Sequence, residues 1–393
     1  MRKYFTIFIL FTACIEPYNL EVLVTRKVLV IDAIVTNLSG ENRVRLEYSY
    51  SLDNSEPEQV SGAVVTVTDD LGNTQEFLQV SPGLYKPDDS FAGVVGRKYQ
   101  LRVETPDGDI YESHQEELLE PGTVNDLYGK YLSLRSETGN GFERGIQFLV
   151  DIEGVGSDNY NYRFQYEENY SIEVPYESLY EFNPNTLTIE PRAQSIKVCY
   201  INEQSNDLLI ATTNGQVDNE LREFPIVFVD ENDPELIGRY SITLKHYRIT
   251  PAAYQFYKDL KENNESAGSF FDRQKGSFNG NIKNIADLKE PVLGYFEVAG
   301  VSKVFQIFDG GTWKEDGFNA QGILEFCNNQ VESIRTADII SGSFDFGNRL
   351  IYKFADTEEL LPGTFYNVET LLLPERCIDC RYYGTLEKPE FWD

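Results

Sequence analysis

Histidine is almost missing from this chain: His114 and His246 are the only two in 393 residues. That scarcity excludes zinc centres and proton relays built on several imidazoles. His114 lies in linker-like text, and His246, in "ITLKHYRIT", reads as a satisfied strand residue rather than a base. The Walker loop, the Gly-x-Ser-x-Gly elbow and His-Glu-x-x-His are all absent. No apolar run reaches the roughly 20 residues that a membrane-spanning helix needs. Positive charge is short as well, with 34 Lys and Arg against 64 Asp and Glu for a formal charge of -30. This balance opposes binding to nucleic-acid phosphates and to an anionic membrane face, and favours solubility. So many carboxylates make some close acidic pair inevitable, which leaves a glycosidase-type pair unreadable from sequence. The residues therefore nominate no catalytic set, no cofactor and no metal, and the chain reads as a non-enzyme.

What is present begins with a leader. Arg2 and Lys3, the apolar stretch Tyr4 to Phe11 and the small pair Thr12-Ala13 precede Cys14 in the order of a secretory signal. Cleavage before a cysteine resembles the lipobox of bacterial lipoproteins, so residues 1–13 are expected to be removed and Cys14 to carry the lipid. Each buried methylene contributes about 0.8 kcal/mol, so several acyl chains hold a folded body on a bilayer almost permanently. Residues 14–27 read as a tether.

Tyr and Phe, 25 of each, outnumber 2 Trp and 1 Met, a composition that suits strands. "KVLVIDAIVTN" is a nearly continuous apolar run, and "NRVRLEYSY" alternates, with Val44, Leu46, Tyr48 and Tyr50 on one face. Turn signals at Asp70-Leu71-Gly72-Asn73 and Thr105-Pro106-Asp107-Gly108 separate further short strands. The fold class is mainly β: an immunoglobulin-like or transthyretin-like β-sandwich over 28–120, then a larger β-rich domain over 121–393. "QEELLEPGTVNDL" marks the boundary.

In the second region Tyr160, Tyr162, Phe164 and Tyr166 occupy every second position, which predicts core packing in preference to a sugar- or base-stacking stripe. "DENDPE" lacks the order of an EF-hand loop and reads as a solvated turn. One notable helix is expected near 251–263, with Thr250 as N-cap, Pro251 in the first turn and Ala253, Phe256, Tyr257 and Leu260 as its apolar stripe. "PVLGYFEVAGVSKVFQIF" predicts two more strands.

Besides Cys14 there are Cys199, Cys327, Cys377 and Cys380. An even number in an exported chain suits two disulfides, with three pairings open. The Cys-x-x-Cys at 377 to 380 also fits a redox or zinc element, but no second ligand pair stands at zinc spacing.

Several stretches together carry a family resemblance. "CIEPYN", "KVLVIDAIVTN", "VSGAVVTVTDDLGN", "SPGLY", "GRKYQLRVETPDGDIYES", "AAYQFYKDL", "PVLGYFEV" and the terminal "CIDCRYYGTLEKPEFW" follow one another in order. In these the chain resembles a Bacteroidota lipoprotein family catalogued as domain of unknown function four-two-four-nine. The resemblance implies an outer-membrane lipoprotein, lipid-anchored and facing the cell surface, with a TonB-dependent receptor, a β-barrel, as partner. Glu16, soon after the cysteine, is in keeping with surface export. The ligand is left unknown. Two other roles compete with a transporter accessory: a surface glycan- or peptide-hydrolase using an acidic pair, and a cell-envelope adhesion or scaffold module.

Overall fold

The apolar run after Lys27 becomes β1 (Leu29–Thr36), whose outward break at Asp32 leaves the remaining side chains buried or half-buried. In the computed structural model the described residues are 27–49, 57–136, 141–154, 160–216, 219–266, 280–318, 327, 330–342, 344–354 and 369–392. The leader, the tether from Cys14 up to residue 26, and Tyr50 lie outside them.

After β1 come β2 (Arg43–Tyr48), β3 (Glu58–Gln59), β4 (Val64–Asp69), β5 (Thr74–Ser81), β6 (Leu84–Lys86), β7 (Lys98–Glu104), β8 (Ile110–Ser113) and β9 (Glu116–Glu117). The β4–β5 turn shows why its residues were chosen. Asp69 Oδ1 accepts from the backbone nitrogens of Leu71 and Asn73, both at 2.9 Å, and Gly72 takes a φ of +86°. A side chain at that φ would be strained.

The second region contains β10 (Thr123–Arg135), β11 (Phe142–Glu153), β12 (Asn161–Glu173), β13 (Tyr180–Asn183), β14 (Thr188–Pro191), β15 (Val198–Gln204), β16 (Leu209–Thr212), β17 (Glu220–Asp230) and β18 (Arg239–Ile249). Helix α1 (Pro251–Ser266) follows, then β19 (Ile282–Asn284), β20 (Val292–Asp309), β21 (Glu332–Arg335), β22 (Arg349–Phe354) and β23 (Glu369–Pro374). The protein is mainly β, with sandwich-like layers and few helices.

One hydrogen-bonded path, β15-β12-β18-β20-β1-β2-β6-β5-β4-β7-β8-β19, runs through both regions. Its hinge is β20. Residues 292–299 pair in parallel with β1, and residues 300–309 pair antiparallel with β18. The two strands expected over this stretch are thus a single 18-residue strand that changes partner halfway. It stays continuous because glycines permit close approach where partners crowd it. Gly294 has a φ of +93° and an added Cβ would lie 2.1 Å from the Ile31 carbonyl oxygen, while one on Gly300 would lie 2.0 Å from that of Leu119.

Two main cores result. The first holds Leu29, Ile31, Val44, Leu46, Phe77, Tyr85, Leu101 and Phe296. The second lies between the β12–β18 part of the long sheet and the small sheet β10-β11-β17, and holds Phe148, Trp313, Tyr240 and the stripe Tyr160, Tyr162, Phe164 and Tyr166. That stripe is core, as its alternation predicts.

Helix α1 has the expected cap: Thr250 Oγ1 accepts from Ala253 N at 3.2 Å. It runs to Ser266, beyond the expected end. Ala253, Phe256 and Tyr257 pack on Ile34, Tyr247, Tyr295 and Val301, covering part of the sheet face that the two main cores leave free. A buried carboxylate locks the helix start: Glu116 accepts from Thr250 Oγ1 at 2.7 Å, Tyr295 Oη at 2.7 Å and Asn281 Nδ2 at 3.2 Å. Among the described residues no helix is long and apolar enough to cross a membrane.

Candidate functional site

Strand alternation dictates what stands opposite the core. If Tyr162, Phe164 and Tyr166 point inward, Arg163, Gln165 and Glu167 must point to the other face. There they meet Tyr247, Lys245 and Thr243 of β18 across the ladder. Beyond β20, which contributes Glu297 opposite Ile34, β1 and β2 add Asp32 opposite Arg45 and Ile34 opposite Arg43. A polar face therefore crosses four adjacent strands and β2, roofed at one end by α1.

Two adjoining depressions of about 300 and 290 Å³ are sunk into this face and share Arg43, Gln165 and Ser205. The loop from Ser205 to Leu208 forms one rim, and Arg43 and Arg45 form the other.

The floor is an ion pair. Arg163 Nε and Nη2 donate to Glu297 Oε2 and Oε1 at 2.9 and 2.7 Å, a two-pronged contact with both side chains buried. The guanidinium carbon sits 4.0 Å from the Tyr247 ring centre and 5.5 Å from that of Tyr257. Burial works against the Arg163 charge, but the Glu297 carboxylate outweighs it, and Arg163 titrates above the ordinary arginine value. Burial and the same carboxylate hold the Tyr257 hydroxyl protonated far above its usual range. Tyr247, pushed up to about 12 mainly by burial, donates from its hydroxyl to Gln165 Oε1 at 2.9 Å.

The remaining charges are less committed. Lys245 Nζ donates to Glu41 Oε1 at 2.6 Å, and Arg43 reaches Asp32 only at 3.8 Å. Arg45, exposed on the rim, makes no ion pair among the described residues. In a chain with a charge of -30 this gathers four cations, Arg43, Arg45, Arg163 and Lys245, around one cleft. Such a lining suits a polar solute that offers both acceptors and donors.

A second group of titratable residues lies at the open end of the second core. Tyr240 donates its hydroxyl to Glu168. Burial raises the Glu168 carboxyl, and burial followed by the Glu168 charge raises Glu235 to about 7. Glu235 comes from the stretch read as a solvated turn; its 3-10 turn Pro234–Leu236 buries Leu236 and draws the carboxyl partly in. Among the described residues no group of three or more His, Cys, Asp or Glu side chains is arranged to hold a metal.

The sequence-nominated residues fall as follows. Cys14 is outside the described residues. Of the three pairings open to the other four cysteines, the structure has Cys199–Cys380 and Cys327–Cys377, with Cα separations of 5.2 and 5.6 Å. The Cys-x-x-Cys is not closed on itself. Each half ties the C-terminal segment to a different part of the chain. His114 is exposed, whereas His246 is wholly buried in β18. The residue is packed, as expected of a strand histidine, edge-on to Tyr162 and facing the Gly122 backbone, whose hydrogen bond opposes the effect of burial. Burial depresses it to about 4. The cleft residues Arg43, Arg45, Arg163, Lys245 and Glu297 were not singled out from sequence. Their signal was present only as the polar half of each alternating strand.

Comparison with known proteins adds a family and little else. No curated protein matches the chain. Among solved structures, the crystal structure of a DUF4785 family protein from Legionella pneumophila aligns over 55% of this chain and 51% of that one, at 8% identity and a TM-score of 0.17. The match spans about half that protein's length, and at this score it carries no argument. The model of the domain of unknown function DUF4249 matches residues 15–304, most of the chain, with its strand framework and the cleft up to β20, and the protein belongs to that family.

Proposed function

We propose that this protein is a lipid-anchored accessory protein of the outer membrane that works beside a TonB-dependent receptor, assisting capture of a nutrient or assembly of the complex. The observation that carries the reading is the pair of disulfides, because such bridges persist outside the reducing cytosol, where a lipid on Cys14 would hold the body. The leader-like residues 1–13 support the anchor, and Glu16 supports the cell surface as the side it faces. The polar cleft supports the capture role, since it offers charged and amide groups to a solute without competing as a deep apolar binding slot. Native protein extracted in mild detergent is the test. Intact mass should show loss of residues 1–13 and acyl chains on Cys14, and a large β-barrel should co-purify. Recovery only as a free monomer, under conditions that keep other barrel complexes together, overturns the partnership.

A second reading, a surface hydrolase, is favoured by one observation: Glu235, lifted to about 7, stands within electrostatic reach of Glu168. A carboxyl kept protonated near neutral pH beside another is the arrangement of a general acid and its companion. Glu235→Gln should abolish any glycan or peptide cleavage the protein shows. Activity unchanged in that variant removes this reading.

A further inference from the structure

Where the C-terminal segment crosses the sheet edge it forms a groove of about 390 Å³, separate from the charged cleft. β15 is the edge strand of the long sheet. Tyr200 of β15 and Thr385 exchange backbone hydrogen bonds of 2.8 and 3.0 Å, and the Cys199–Cys380 bridge clamps the crossing from one residue away. Gly384 allows the close approach: an added Cβ would lie 2.5 Å from the Tyr200 carbonyl oxygen. The groove is therefore a built feature, held open by a covalent clamp and a one-residue ladder.

Its lining has a distinct chemistry. Tyr200 and Tyr383 contribute rings, Asn169 and Asn202 amides, and Glu203 and Glu387 carboxylates, and no lysine or arginine takes part. Asn202 Nδ2 donates to Asn169 Oδ1 at 2.8 Å and to Glu167 Oε1, which fixes the buried Asn169 amide at the groove. Carboxylates without cations repel an anionic ligand, and a wholly apolar one would leave the amides and carboxylates unpaired, while Ile201 and Pro389 add apolar surface beside the rings. Amides and carboxylates lining one groove match neighbouring hydroxyls, each donating and accepting, and tyrosine rings offer apolar surface to the C–H faces of a pyranose. We propose that this disulfide-clamped groove between β15 and residues 383–389 binds a neutral glycan. The assignment stands whether or not the transporter partnership holds, because it rests on the groove alone.

The test uses the full chain titrated with a panel of neutral gluco-, manno- and xylo-oligosaccharides in α and β linkage, followed by calorimetry and tryptophan fluorescence. Trp392, whose ring lies 6.1 Å from that of Tyr200, reports from the groove. At least one member should bind saturably with a Kd of about 0.01–1 mM. Glu387→Ala, at an exposed position, should weaken binding at least about tenfold while melting as the parent does, and Asn202→Ala should weaken it likewise with a lowered Tm, because it orphans the buried Asn169 amide oxygen. Arg45→Ala, in the other cleft, should leave it unchanged. No binding by any panel member, affinity unchanged in both groove variants, or tighter binding of hexalysine than of every sugar would each overturn the assignment, the last by showing a site for cationic peptide.

Discussion

Glu168 of β12 stands directly across the ladder from Glu203 of β15, with Glu235 adding a third carboxylate from the turn before β18. Like charges placed opposite one another are destabilising. The fold tolerates them by keeping a proton: Glu235 rises from 4.5 to about 7, chiefly through burial and then through Glu168.

A carboxyl raised on folding holds its proton in the native state after the unfolded chain has lost it, so its contribution to stability falls as pH rises from 4.5 to about 7. Glu235→Gln should therefore stabilise the protein by about 1 kcal/mol near neutral pH, discounted for partial solvation, and by nothing below the unfolded value. Urea melts of parent and variant across pH measure this; a gain that persists in acid contradicts it.

Burial keeps His246 neutral as it does Glu235, but for a base this gives the opposite pH dependence. Held neutral by burial at about 4, it takes up a proton from 6.5 downward only when the chain unfolds, so stability drops as pH falls from 6.5 to about 4. His246→Phe removes the titrating ring from the second core and should flatten that acid limb. Thermal unfolding followed over this pH range decides it.

The Arg163–Glu297 pair on the cleft floor makes a coupled prediction. Arg163→Met or Glu297→Leu alone leaves an uncompensated buried charge and should cost about 3–5 kcal/mol, whereas the double variant should recover most of the loss. Denaturant unfolding of all four proteins gives the cycle. Additive losses would mean that the two charges do not depend on each other.

The two disulfides should differ in worth. Cys199–Cys380 spans 181 residues and Cys327–Cys377 spans 50. Closure entropy grows with the logarithm of loop length, so serine replacement of the first pair should cost about 1 kcal/mol more than replacement of the second, each loss being about 2–4 kcal/mol. Guanidinium melts of the two double variants compare them directly.

How far the cleft was legible can be judged along β12. The alternation in "NYRFQYEENY" shows that Arg163, Gln165 and Glu167 share a face turned away from the aromatics. Nothing near Arg163 reveals that its partner is Glu297, 134 residues away, or that Arg43 and Arg45 arrive from the other end of the sheet. The groove at Tyr200 is less legible still, because its two walls are brought together by one of three equally allowed cysteine pairings.

By itself the sequence determined the β class, the inward aromatic stripe, the capped helix on the free sheet face and the Asp-Gly turn, since each follows from the conformational preferences and periodicity of residues close in the chain. Tertiary structure decided the parallel seating of β20 on β1, the cysteine partners, the charged cleft and the groove at Tyr200. These depend on contacts between segments far apart, whose closure is favoured only when whole faces are buried together, and no short stretch of sequence carries that information.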